Sequence, residues 1–100
     1  MDFSLSQYGT VFSTRPRGLD IRRSLQAELS PGEIVTISFA SVNKVSQSFS
    51  DEFLGALISE LGPERVRVEG SLAPSVERVL NRALKHRGLT GINEIGAVAA

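Results

Sequence analysis

Three stretches of the chain carry apolar residues at helical spacing. Ile21, Leu25 and Leu29 recur four apart in RGLDIRRSLQAEL, which places one stripe on a helix that stops before Pro31 and Gly32. Phe49, Phe53, Leu54, Leu57, Ile58 and Leu61 make a wider stripe on a helix over 49–61, ended by Gly62 and Pro63. Val76, Val79, Leu80, Ala83 and Leu84 share one face of a third helix that opens with Pro74 and closes on Gly88. Between these stretches the rhythm changes to that of strands. In EIVTISFASV, Ile34, Val35, Ile37 and Phe39 populate both faces, the pattern of a central parallel strand covered by helices on each side. ERVRVEG alternates Val66 and Val68 with charge, as a short edge strand with one wet face does. The β-branched and aromatic residues from Phe3 to Thr14, with Gly9 at their middle, predict an opening antiparallel strand pair or hairpin. Residues 89–100, weakly apolar and glycine-containing, fit a short strand or a loosely docked tail.

This order of elements predicts an α/β domain in which crossovers lay about four strands into one mostly parallel, mixed sheet, with three helices and an antiparallel pair at its start. With 100 residues there is room for one core, so residues 1–100 are read as a single domain.

Composition narrows the chemistry. Apolar residues make up 41% and charged residues 22%, enough apolar material for a packed core. Eleven basic and eleven acidic side chains cancel, which removes the long-range field that non-specific nucleic-acid or membrane-surface binding uses. The absence of cysteine excludes disulfides, zinc-thiolate sites and cysteine nucleophiles, and fits a reducing cytoplasm. The first residues lack the basic-then-apolar layout of a signal peptide, and no stretch approaches the roughly eighteen apolar residues of a membrane span. The expectation is a soluble cytoplasmic protein without a membrane association. Neither common phosphate-binding glycine motif occurs, and no cofactor or metal is expected.

The candidate site lies where polar residues meet the most apolar helix. Ser46, Ser48 and Ser50 crowd the mouth of the 49–61 helix, with Asp51 and Glu52 in its first turn. Ser48 followed three residues later by Asp51 resembles a capping box, and the two acids complement the positive end of the helix dipole. The same free N–H groups can hold a phosphate, and a phosphoserine there adds nearly two charges, against which Asp51 and Glu52 would act. Basic residues cluster at Arg15, Arg17, Arg22 and Arg23 and again at Arg78, Arg82, Lys85 and Arg87. Arg15 and Arg17 flank Pro16 at a helix start, positioned to meet an acidic partner. Arg78, Arg82 and Lys85 lie opposite the apolar stripe of their helix, as on a solvated face. The single histidine, His86, sits beside Lys85 and Arg87 where a cation meets the negative end of a helix dipole. No carboxylate, histidine and serine are spaced to declare a catalytic set.

The segment IVTISFASVNKVSQSF running into SDEFLGALISEL resembles the STAS fold (sulphate transporter and anti-sigma-factor antagonist), and most closely a STAS-like family of unassigned function from bacteria and phages. The resemblance rests on Ser38-Phe39, Val42, Val45, Ser48-Phe49 and Asp51-Glu52-Phe53, together with STRPRGLDIRRSL, and covers roughly residues 10 to 70. It implies a non-catalytic signalling module similar to an anti-sigma-factor antagonist. Such modules bind a serine kinase of the histidine-kinase-like ATPase fold, which phosphorylates a serine at the start of the helix after the central strand. An ungapped match places Ser46 at their aspartate and Gln47 at their phosphoacceptor, and Phe49 replaces a glycine. Ser48 or Ser50 could take the phosphoacceptor role only in a register shifted by one residue or more, and Ser48 is the candidate chosen. The partner-binding surface implied is Arg15, Arg17, Ser46, Ser48, Ser50, Asp51 and Glu52, with homo-oligomerisation open. The alternative is a nucleic-acid-associated or mobile-element accessory protein using the arginine clusters, disfavoured by the zero net charge.

Overall fold

The computed structural model describes residues 1–69 and 71–92. The expectations for residues 93–100 therefore lie outside the described residues. Strands β1 (Asp2–Ser4), β2 (Val11–Phe12), β3 (Val35–Ser38), β4 (Lys44–Val45) and β5 (Val66–Glu69) alternate with helices α1 (Arg15–Glu28), α2 (Gln47–Ser50), α3 (Ala56–Leu61) and α4 (Pro74–His86). A π-helical turn, Asp51–Gly55, joins α2 to α3, so the predicted second helix is one rod from Gln47 to Leu61 with a widened middle. Three of the strands form a sheet in the order β1-β3-β5, and the other two form the pair β2-β4.

Every pairing among the described residues is parallel, which corrects the expected antiparallel opening. Phe3 sits opposite Ile37 in β1-β3, Phe12 opposite Val45 in β2-β4, and Val68 opposite Ile37 in β3-β5. A hairpin would need the chain to reverse after Ser4. Instead a 3-10 turn over Leu5–Tyr8 buries Leu5 completely and carries the chain sideways, so β1 and β2 join different sheets. The β-type composition of residues 3–14 was sound; the partner of each strand lies far along the chain. β3 takes the central position and β5 an edge, as their apolar patterns predicted.

Among the described residues the sheet has one buried and one wetter face. Phe3, Val35, Ile37, Val66 and Val68 are buried, whereas the alternate positions Asp2, Ser4, Arg67 and Glu69 are exposed and Thr36 and Ser38 half-buried. The expected two-faced burial of the central strand counted Ile34, which precedes β3 and is 42% exposed. Within the strand the pattern V-T-I-S alternates, so one face is wet.

All five phenylalanines enter the core and tie the two sheets together. Phe12 of β2 stacks on Phe49 at 5.0 Å between ring centres, Phe49 on Phe53 at 5.5 Å, and Phe53 meets Phe3 at 6.3 Å and Phe39 at 6.5 Å. Such ring pairs add about 0.5–1.5 kcal/mol beyond their buried area. The Gln47–Leu61 rod is thus fixed by two of its own rings.

α1 crosses this rod closely because it carries Gly18 at the crossing. A Cβ there would lie 2.9 Å from the Phe49 carbonyl oxygen and 3.3 Å from the Phe53 nitrogen, both backbone atoms that cannot swing aside. Alanine is the better helix former by about 0.8–1 kcal/mol, but overpacking of this kind costs about 1–3 kcal/mol. Gly18→Ala is therefore expected to lower stability by about 1 kcal/mol in urea unfolding. An unchanged or raised midpoint would show that the crossing does not need glycine.

Candidate functional site

The site is built where β4 hands the chain to the long rod. Val45 must enter the core at 4% exposure, and Phe49, four residues on, must reach Phe12. These two anchors fix the helix start at Ser46. Its backbone is extended (φ −88°, ψ 164°), and its Oγ accepts the Phe49 N–H at 3.0 Å. The Ser46 carbonyl accepts the Ser50 N–H at 3.0 Å and the Ser50 hydroxyl at 2.7 Å. The N-cap is thus Ser46, two residues before the capping box expected at Ser48 and Asp51. Asp51 instead turns its carboxylate sideways to arginines.

The three serines consequently have three different fates. Ser46 caps, Ser50 is 1% exposed and bonded back to the cap, and Ser48 is exposed on the first turn. Among the described residues the Ser48 hydroxyl has no hydrogen-bond partner. Gln47 beside it is exposed as well.

Around this mouth lies an arginine–carboxylate lattice linking α1, the rod and α4. Arg15 donates from Nη1 to Asp51 Oδ2 at 2.8 Å and to Glu52 Oε1 at 3.3 Å. Arg87, just past α4, donates from Nε to Asp51 Oδ1 at 2.8 Å and from Nη2 to Oδ2 at 3.3 Å. Arg22 is the buried member, 8% exposed. It donates from Nη2 to Glu52 Oε2 at 2.7 Å, from Nη1 to both Glu60 oxygens at 3.0 and 3.1 Å, and from Nε to the Glu52 carbonyl at 2.8 Å. That carbonyl belongs to the π turn, so the guanidinium supports backbone as well as charge. Gln26 completes the arrangement by donating to Glu60 at 2.6 Å. Glycine again makes room: a Cβ on Gly55 would lie 3.0 Å from Arg87 Nε, in the path of that side chain to Asp51.

The electrostatics follow from these contacts. Hydrogen bonds from Arg87 and then Arg15 hold the Asp51 carboxyl below its ordinary range, against the opposing effect of partial burial. Arg22 and then Arg15 do the same for Glu52. In return, Asp51 raises the pKa of Arg15 and of Arg87. The two acids, expected to present bare negative charge at the helix mouth, are therefore ionised and paired.

Arg15 and Arg17 do not act as a pair. Arg15 is committed to Asp51 and Glu52, although its side chain stays half exposed. Arg17 turns the other way, donating to the Tyr8 carbonyl at 2.9 Å with its guanidinium 5.7 Å from the Tyr8 ring centre. Both belong to a helix start capped by Thr14, whose Oγ1 accepts the Arg17 N–H. Arg15 joins Gln47, Ser48, Asp51, Ala83 and His86 around an open depression of about 270 Å³. Of the expected surface, Arg15, Ser48 and Asp51 line it. Ser46, Ser50, Glu52 and Arg17 do not.

Residues 18–71 match the family described as a STAS-like domain of unknown function. The chain belongs to this family. The matched stretch contains most of α1, strands β3 to β5 and the whole rod, and so Arg22, Ser48, Asp51, Glu52 and Glu60. Arg15, Arg87 and His86 of the STAS-like domain lie outside it. No curated protein matches the chain, and no solved structure does.

Arg22, Glu60 and Arg87 are the lattice members that the candidate surface omitted. Arg22 left a signal in the sequence: it lies on the same helix face as Gly18, Ile21 and Leu25, an arginine on an apolar stripe. Glu60 and Arg87 left none. Among the described residues, no group of three or more histidine, aspartate and glutamate side chains is placed to hold a metal ion. No helix there is long and apolar enough to cross a membrane.

Two measurements test this geometry. Ser46→Ala is expected to cost about 1 kcal/mol in urea unfolding and Ser48→Ala a few tenths at most; the reverse order would return the cap to Ser48. Asp51 and Glu52 have depressed folded pKa values, so their stabilisation is present above the unfolded carboxylate range near about 4 and is lost as pH falls through the folded values. The unfolding midpoint should fall from about pH 5 downward, and fall less steeply in Asp51→Asn. Equal slopes would show that these ion pairs contribute nothing.

Proposed function

We propose that this STAS-like domain is a non-catalytic regulatory module that binds a protein partner at the mouth of the Gln47–Leu61 rod. The observation that carries the reading is the isolation of Ser48. It is the only one of the three serines that is exposed, and it stands on a depression ringed by side chains from α1, the rod and α4. A partner approaching this mouth meets a polar rim of Gln47, Ser48, Arg15 and His86, of which Arg15 is held by Asp51 and Glu52.

The arrangement is poor in the parts a serine enzyme needs. Ser48 and His86 line the same depression, yet neither side chain makes a hydrogen bond among the described residues. Asp51, the carboxylate beside them, has both oxygens occupied by arginines. A nucleophile, its base and the group that orients the base are therefore not connected.

Control by phosphorylation is part of the proposal, with a histidine-kinase-like ATPase as the partner class that the anti-sigma-factor antagonist resemblance implies. The pairing of Asp51 and Glu52 with arginines offsets the repulsion that their charges would otherwise exert on a phosphate at Ser48. A phosphoserine would compete with Asp51 for Arg15, since charge-assisted contacts to phosphate rival those to carboxylate.

The test is affinity capture from the native cell with wild type, Ser48→Arg and the distant exposed control Ser24→Arg. A specific partner should be retained by wild type and the control and lost from Ser48→Arg. With that partner and ATP, intact-mass spectrometry should show one added phosphate that Ser48→Ala abolishes. Equal capture by Ser48→Arg would remove the partner from this surface, and absence of the phosphate would remove the control mechanism.

A further inference from the structure

The arginine lattice divides the basic residues of the chain into two populations. Arg15, Arg22 and Arg87 are paired with carboxylates, Arg17 with the Tyr8 carbonyl, and Arg65 with the carbonyls of Glu33 and Ser30. Arg78, Arg82 and Lys85, like Arg23, Lys44 and Arg67, are exposed and have no side-chain partner among the described residues; what sets the first three apart is that they share one helix face. They stand in one row on α4, opposite Val76, Leu80, Ala83 and Leu84, which are buried. With His86 and Asn81 they line an open groove of about 630 Å³, in which none of the described lining residues is aliphatic or aromatic apolar. The acid of α4 nearest this row, Glu77, projects about 100° around the helix from Arg78.

Asp51, Glu52 and Glu60 neutralise Arg15, Arg22 and Arg87, and the charges that remain balance as well. The asymmetry is local: three cations stand in one row on α4, with no acid paired to them among the described residues. From Arg78 to Lys85 the helix rises about 10 Å, close to three nucleotides at about 3.4 Å each along one strand. Nucleic-acid interfaces are more polar and far more positively charged than protein–protein interfaces, which fits three exposed cations in one row.

We propose that the outer face of α4 binds the phosphate backbone of duplex nucleic acid, with Arg78, Arg82 and Lys85 each taking a phosphate. The contact is independent of sequence, because the row offers charge to the backbone and nothing positions it against base edges. This surface adjoins the mouth at Ser48, since His86 lines both, but its three cations lie outside that mouth and the proposal does not depend on the reading given to it.

The experiment is fluorescence anisotropy with a labelled duplex DNA of about 20 base pairs and arbitrary sequence, titrated at several salt concentrations. Wild type should bind at low salt with a dissociation constant of about 10⁻⁴ to 10⁻⁶ M, and log affinity should fall against log salt with a slope of about −3. The triple variant Arg78→Gln, Arg82→Gln, Lys85→Gln should lose at least about tenfold in affinity and most of the slope. Lys44→Gln with Arg67→Gln, which removes charges from other exposed positions, should bind within about twofold of wild type. Circular dichroism melts establish that each variant is folded. No binding at low salt, or equal loss in the two variants, would overturn the proposal. So would a polyglutamate peptide that binds wild type more tightly than the duplex does, since the row would then serve an acidic protein.

Discussion

Arg22 is the charge around which the helical layer is assembled. A guanidinium at 8% exposure is tolerable only when its donors are satisfied, and here two carboxylates and a backbone carbonyl accept from it. Those acceptors all sit on the Gln47–Leu61 rod, whereas the arginine belongs to α1. The contact therefore fixes how α1 lies across the rod, and Gly18 lets the two backbones come close enough for it. The π turn fits the same constraint, since the Glu52 carbonyl within it accepts from Arg22. With the rod held from one side, Asp51 reaches Arg87 on the other and brings in α4. The depression at Ser48 is what remains between the three pieces.

The helices and the central strand were legible because burial writes itself into spacing. Phe49, Phe53 and Leu57 repeat at the helical period because each must reach the same core, and Val35 and Ile37 alternate because the strand has one dry face. Strand partnership was not legible. Asp2–Ser4 and Val11–Phe12 look like any two adjacent strands, and only the three-dimensional position of β3 and β4 shows that each pairs elsewhere. The cap was misplaced for a related reason. Ser46 and Ser48 offer the same hydroxyl, and the choice between them is made by where Val45 and Phe49 must be buried. Local chemistry permitted both starts; packing selected one.

The candidate surface was legible in its position and not in its membership. A run of serines before an apolar helix marks the mouth correctly, yet it gives Ser46, Ser48 and Ser50 equal standing, and burial separates them. Charges are harder still. Arg15 and Arg22 belong to one cluster in the sequence, but each finds its carboxylates far along the chain, at separations of 36 and 30 for their contacts with Asp51 and Glu52. Such ion pairs leave no periodic trace. The arginine on an apolar stripe is the exception, because burying a charge demands a partner and so announces one.

The parallel pairing of the first strands bears on how the chain reaches this structure. The terminal amine bonds to the carbonyl of Ile34, 33 residues away, and β1 and β2 have their partners at comparable distances. Nothing in the first twelve residues can form a sheet with its own neighbours. These segments contribute only after a long loop has closed, and the entropy of closing it is lost before any ladder bond repays it. During synthesis β1 and β2 therefore have no strand partner until β3 and β4, more than thirty residues further on, have been made.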